Sequence, residues 1–206
     1  MIDAYKDIST ESLDCLREAG NIAAANAVTA LSQVINARVH MEVVNVKVRD
    51  IGELETVFGD PESYVAVNLI EIIQDVRGLL LLVFDIDSVV QVINQVMGIT
   101  VEDVFSIGEM ERSLLSEVGN ILAGSYLNAL TTLTSLDINQ TPPRTAFDMA
   151  GAVLSLPAIA YSEDYENLVL VETSVRGNED LIKGRYVFVV DDSSLRRIIG
   201  AMESLL

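Results

Sequence analysis

Asp14-Cys15-Leu16-Arg17-Glu18-Ala19-Gly20-Asn21-Ile22 returns later in the chain as Ser113-Leu114-Leu115-Ser116-Glu117-Val118-Gly119-Asn120-Ile121. In each copy an oxygen-bearing residue is followed by Glu four positions on and by Asn three further. Both copies then continue Glu-x-Gly-Asn-Ile-x-Ala. They stand 99 residues apart in a chain of 206, which marks an internal duplication.

The spacing has a physical meaning. On a helix, positions i, i+4 and i+7 lie along one stripe. In the first copy that stripe carries Asp14, Glu18 and Asn21, and the opposite side carries Leu13, Leu16, Ala19, Ala23, Ala27, Ala30, Leu31 and Val34. In the second, Ser113, Glu117 and Asn120 share one face, while Leu115, Val118, Leu122, Tyr126, Ala129 and Leu133 line the other. A Glu beside an Asn on an outer helix face is commonly just solvated. Asn, however, is a mediocre helix former, and Gly costs up to ~1 kcal/mol relative to Ala. A local rule broken twice at equivalent places points to function.

Working outward, the first helix extends to about Asn36, with Ser9, Thr10 or Ser12 available to cap it after an irregular lead-in. In Arg38–Asp50, Val39, Met41 and Val43 share one side and Val44, Val46 and Val48 the other, so a bulge is expected between Val43 and Val44. A turn around Gly59–Ser63 leads into a strand at Tyr64–Ile73. A hairpin turn at Asp75–Gly78 then joins it to a central buried strand, Leu79–Phe84. A helix is expected over Asp87–Met97, capped by Ser88 and stopped by Gly98.

The second half repeats the order: a helix over Glu109–Thr134, a strand ending at Thr141-Pro142-Pro143, and β-rich stretches at Phe147–Tyr161 and Leu168–Val175. A turn at Arg176–Asp180, a strand at Arg185–Val190 and a last helix complete it. Asp191, Asp192 or Ser193 would cap that helix, and its stripe is Leu195, Ile198, Ile199 and Met202. The expected fold is α+β: helix–strands–helix halves, mainly antiparallel strands and pseudo-two-fold symmetry. Residues 1–206 form a single domain on this reading, made of repeats at about 9–98 and 109–206.

Composition narrows the function. Acidic residues outnumber basic ones 31 to 13, giving a net charge of −18, and only Lys6, Lys47 and Lys183 are lysines. Nucleic-acid binding needs a basic footprint and is disfavoured. Acid excess with scarce lysine suits a halophilic, salt-screened protein. The longest apolar run, Leu79–Phe84, is too short for membrane insertion, and the N-terminus lacks the pattern of a signal peptide, so a cytoplasmic location is expected. The single Cys15 excludes an internal disulfide and is expected to be structural; His40, alternating with Val39 and Met41, fits a strand surface.

The doubled motif resembles that of the CheC-type chemotaxis phosphatases, which include CheX and FliY. Their signature is Asp or Ser, three residues, Glu, two residues, Asn, twenty-two residues, Pro. The second copy matches throughout at Ser113, Glu117, Asn120 and Pro143; the first matches at Asp14, Glu18 and Asn21 but has Val44 where Pro is due. The resemblance implies dephosphorylation of the aspartyl phosphate of the response regulator CheY. Glu18 and Glu117 would pair with a lysine of CheY, Asn21 and Asn120 would orient the attacking water, and Asp14, Ser113 and Pro143 would be supporting positions. No cofactor or metal of its own is implied, Mg²⁺ being held by CheY. The family also implies CheD as a partner.

The residue chemistry is compatible with this role. A carboxamide donates and accepts hydrogen bonds without charge, so it aligns water without repelling phosphoryl oxygens. Phosphoryl transfer asks its catalyst mainly for positioning and electrostatics. Gly20 and Gly119 fit either close insertion into a partner or tight helix packing. No Walker-type loop, Ser-His-Asp arrangement or His/Asp cluster is present. The alternative is a non-catalytic or weakly catalytic adaptor that binds CheD or the flagellar switch.

Overall fold

The spacing of small and apolar residues along Thr10–Val34 and Glu109–Thr134 yields two long helices, α1 and α3, which lie against each other. The computed structural model describes residues 10–50, 60–101, 104–153, 155, 167–177 and 183–203. After α1 come β1 (Val39–Asp50), β2 (Tyr64–Gln74), β3 (Gly78–Asp85) and α2 (Ile86–Met97). A 3₁₀ turn at Val104–Ser106 leads into α3, followed by β4 (Ile138–Gln140), β5 (Arg144–Met149), β6 (Asn167–Gly177), β7 (Lys183–Val190) and α4 (Asp192–Glu203).

The strands form one antiparallel sheet in the order β1-β6-β7-β3-β2-β4, with β5 also on β2. β4 pairs with Ile72–Gln74 and β5 with Tyr64–Leu69, so together they occupy one outer edge, as β1 occupies the other. The halves are exchanged across the sheet. β1 of the first repeat pairs with β6 of the second, β4 and β5 of the second pair with β2 of the first, and β3 meets β7 at the centre. This is the expected α+β duplication with pseudo-two-fold symmetry.

The helices cover one face. Leu80, Leu82 and Phe84 point into a core shared with Ala23, Ala27, Val92, Ile93, Leu122, Leu195 and Ile198. The alternate residues Leu79, Leu81 and Val83 join Val65, Val67, Val187 and Val189 in a second cluster on the other face. That double burial is why Leu79–Phe84 is apolar without interruption.

The bend expected at Val43/Val44 is present. Val43 faces Thr173 and Asn45 faces Glu172, which leaves Val44 as the extra residue. The opposite edge bends at the equivalent place, because Ile72 faces Gln140 whereas Leu69 faces Arg144: three steps on β2 span four on its neighbour. A one-residue excess is a bulge. Val44 therefore keeps the bend without a proline ring.

Three local expectations need correction. The β reading of Phe147–Tyr161 holds only to Met149, after which 150–153 turns helical; its end, 156–161, lies outside the described residues. The Ala150 N–H donates to Ser63 O (2.8 Å) and the Gly151 N–H to Pro61 O (2.9 Å), while Ala150 and Val153 cover the second apolar cluster. Burial of two small side chains over that face outweighs extension of the ladder. Second, the N-cap position of α2 is Asp85 rather than Ser88, and its side chain makes no cap hydrogen bond: β3 runs into the helix with no intervening loop, and Ser88 is buried within it. Third, the first helix ends at Val34, short of Asn36, which adopts a positive φ of 49°.

Gly98 at φ 67° stops α2 as expected. Among the three candidates for the last cap it is Asp191, whose Oδ1 accepts from the Ser194 N–H at 2.7 Å. The lead-in 1–9, Gly59 in the turn before Tyr64 and most of the Arg176–Asp180 turn lie outside the described residues.

Candidate functional site

α1 buries Leu16, Ala19, Ala23, Ala27 and Leu31 and leaves Asp14, Glu18 and Asn21 exposed. α3 buries Leu115, Val118, Leu122 and Tyr126 and leaves Ser113, Glu117 and Asn120 exposed. Both sequence-derived stripes thus form. Among them Asp14 is within 3.9 Å of Arg17, a contact of two solvated side chains that contributes little. Pro143 is half-buried in the break between β4 and β5.

The glycines serve packing rather than insertion. Gly20 and Gly119 are buried toward the sheet, not displayed beside the Asn residues. A Cβ on Gly20 would come 2.8 Å from Val43 Cγ2 and 3.4 Å from Val171 Cγ1. A Cβ on Gly119 would come 2.5 Å from Asn68 Nδ2 and 2.7 Å from its Cγ. Each helix approaches the sheet so closely at the residue before Asn that no side chain fits.

This closeness brings each Asn to the bent strand. At the first site the Val43 backbone N–H donates to Asn21 Oδ1 at 3.4 Å. At the second, the residue 22 positions beyond Asn120 is Pro142, which has no N–H. There Gln140 Nε2 donates to Asn120 Oδ1 at 2.8 Å and approaches Asn120 O at 3.4 Å. Both Asn carbonyls are anchored toward the strand, which leaves both amide NH₂ groups turned away from it.

Beneath the second site lies Asn68, a buried residue of β2. Its Nδ2 donates to Leu115 O at 2.9 Å and its Oδ1 accepts from Thr145 Oγ1 at 2.6 Å, which ties α3 to the sheet. Val171 stands against Gly20 where Asn68 stands against Gly119. Sequence reasoning marked Val43 only as the edge of the bulge, not as a donor to Asn21, and missed Asn68, Gln140 and Thr145. None recurs as the same residue type at the equivalent place in the other repeat; the one usable signal was the pair of prolines, whose missing N–H groups leave an acceptor to be satisfied by something else.

Arg112, one residue before Ser113, lies over the Phe147 ring at 4.6 Å from its centre. Between the two helices and the sheet, Tyr126 and Tyr186 pack with ring centres 4.9 Å apart. Burial pushes both phenols above their ordinary value, and for Tyr186 the neighbouring Tyr126 adds to it. Among the described residues, no three His, Cys, Asp or Glu side chains gather as a metal-binding group. None of the described helices is long and apolar enough to cross a membrane. His40 is exposed on β1 between buried Val39 and half-buried Met41, as its strand position required. The side chain of Cys15 lies outside the described residues.

A duplicated α+β fold with a helix-borne Glu/Asn pair anchored at a bent strand in each half defines a narrow class of protein. The model of the CheC-like family matches residues 11–43 and 110–146, which cover nearly all of α1 and α3, the start of β1, all of β4 and the start of β5. The chain is 32% identical to the CheY-P phosphatase CheC of Bacillus subtilis over 206 residues, 98% of this chain and 99% of that one. It belongs to the CheC-like family. It is also 29% identical to the flagellar motor switch phosphatase FliY of B. subtilis over 144 residues, 69% of this chain and 37% of that protein's length. Its fold matches the crystal structure of Thermotoga maritima FliY with a TM-score of 0.79 at 22% identity, covering 97% of this chain and 100% of that one.

Proposed function

We propose that this chain hydrolyses the aspartyl phosphate of a CheY-type response regulator. The observation that supports this most is the doubled presentation of an exposed Glu and an anchored Asn on one helical stripe. The water oxygen forms a bond to phosphorus, the bond to the aspartate oxygen breaks, and the electron pair leaves with the regenerated carboxylate. Asn21 or Asn120 aligns that water, donating through its NH₂ and accepting through the lone pair left free on Oδ1. Glu18 and Glu117, exposed and negative, dock onto a lysine of the partner rather than approach the phosphate. Mg²⁺ belongs to the partner's site. Similarity to a protein named CheY-P phosphatase at 32% identity supports the reaction class.

The test follows the loss of phosphate from phosphorylated CheY with Mg²⁺, with and without this protein. Acceleration supports the reading. No acceleration, even with CheD present, leaves the adaptor reading, in which the chain binds CheD or the flagellar switch without turnover. CheD is proposed as a partner on the family resemblance, and co-elution of the purified proteins tests it. The cytoplasm, where CheY acts, is the proposed location. The charge of −18 with three lysines supports a salt-adapted surface. A urea midpoint that climbs between 0.1 M and molar salt is then expected, and a flat one would count against halophilic adaptation.

A further inference from the structure

We propose that Gln140 is a positioning residue of the second site, holding Asn120 in the one amide orientation that turns its NH₂ outward; the assignment rests on the proposed phosphatase reading. The orientation follows from hydrogen-bonding capacity alone. Gln140 approaches both the Asn120 backbone oxygen (3.4 Å) and the Asn120 side chain (2.8 Å). A backbone oxygen can only accept, so the Gln140 atom facing it is the nitrogen. An NH₂ group can only donate, so the Asn120 atom facing that nitrogen is Oδ1, and Nδ2 points outward. The Asn120 backbone thus fixes Gln140, and Gln140 fixes the Asn120 side chain.

Gln140 is itself held in place from the strand. It faces Ile72 in the ladder, and the next residue, Thr141, binds Glu71 twice: Thr141 N–H to Glu71 O at 2.9 Å and Glu71 N–H to Thr141 Oγ1 at 3.1 Å. Gln140 Oε1 is buried without a hydrogen-bond partner, a cost that an apolar side chain there would avoid. Met41, 20 residues after Asn21 as Gln140 is after Asn120, is such a side chain. It sits where Val43 already supplies a backbone donor. The amide at 140 therefore substitutes for the N–H that Pro142 lacks.

The experiment isolates each site. With Asn21→Ala leaving only the second site, Gln140→Met, which keeps the bulk and removes the donor, should lower kcat by roughly tenfold or more with KM unchanged. Gln140→Glu should lose as much, because a carboxylate accepts from Nδ2 and turns the Asn120 amide around. With Asn120→Ala leaving only the first site, neither substitution should change turnover. Equal losses in both backgrounds would make Gln140 merely structural, and no loss in either would also overturn the assignment. If the unsubstituted protein does not accelerate phosphate loss, the phosphatase reading fails, and NMR of the Asn120 side chain decides the positioning role alone. A single χ2 orientation, read from the contacts of the Asn120 amide protons, that becomes averaged in Gln140→Met supports it; an unchanged orientation overturns it.

Discussion

At the first site the strand's own backbone holds Asn21, through the Val43 N–H, and the sheet beneath is apolar, with Val171 against Gly20. At the second, Pro142 takes the place of that donor, a side chain holds Asn120, and the sheet beneath is polar, with Asn68 bound to Leu115 and Thr145. Both sites nevertheless have a buried glycine before the Asn, a bulge of one residue in the neighbouring strand and an outward-facing NH₂. The duplication has preserved backbone geometry and amide orientation while the contacts that secure them have diverged. A proline at the position of Pro143, the motif position missing from the first copy, is therefore not required for the bend.

The largest difference between the halves should appear on substitution of the glycines. Gly119→Ala forces a methyl onto an Asn68 side chain pinned at both ends, and a loss of about 2–3 kcal/mol is expected from overpacking. Gly20→Ala meets one Val43 methyl at 2.8 Å, and the helix propensity gained from Ala offsets up to ~1 kcal/mol, so its cost should be smaller. Urea denaturation compares the two. Equal costs would break the distinction, and adding Asn68→Ala to Gly119→Ala should relieve part of the loss by opening space.

Asn68→Val, which gives the second site the apolar residue that Val171 supplies at the first, leaves Thr145 Oγ1 without its acceptor and should cost about 1–2 kcal/mol by the same measurement. An unchanged midpoint would show that the polar tie adds nothing over the apolar one.

Tyr126 and Tyr186 belong to the core the two halves share. Their phenols titrate higher folded than unfolded, so the unfolded chain releases these protons first as the pH rises. Their contribution is full below about pH 10 and is lost above it, at up to ~1.4 kcal/mol per pH unit for each tyrosine. The urea midpoint should fall steeply above pH 10, and Tyr126→Phe should make that fall shallower. The smallest effect is expected at Asp14. Its contact with Arg17 is solvated on both sides, so Asp14→Ala should shift stability by less than about 0.5 kcal/mol.

Periodicity made the helices, the central strand and the bulge legible, because burial on one face imposes a period that residues such as Leu79–Phe84 and Val39–Val48 display directly. Repetition made the Glu/Asn stripes legible. The turn at 150–153 was not, since the signal lies in what Ala150 covers, not in its neighbours along the chain. Gln140 and Asn68 were hidden for a related reason. Each acts through a contact that its neighbours along the chain do not announce, and the other repeat has an apolar residue, Met41 or Val171, in its place. The role of the glycines was legible only as two alternatives until the Cβ positions showed the sheet, not open space, in front of them.

The most direct test of two anchored Asn residues as the working groups is the decay of phosphorylated CheY, with Mg²⁺ and in molar salt. Wild type, Asn21→Ala, Asn120→Ala and the double substitution are compared. The account predicts acceleration by wild type, partial acceleration by each single variant and none by the double. Acceleration that survives in a folded double variant would contradict it.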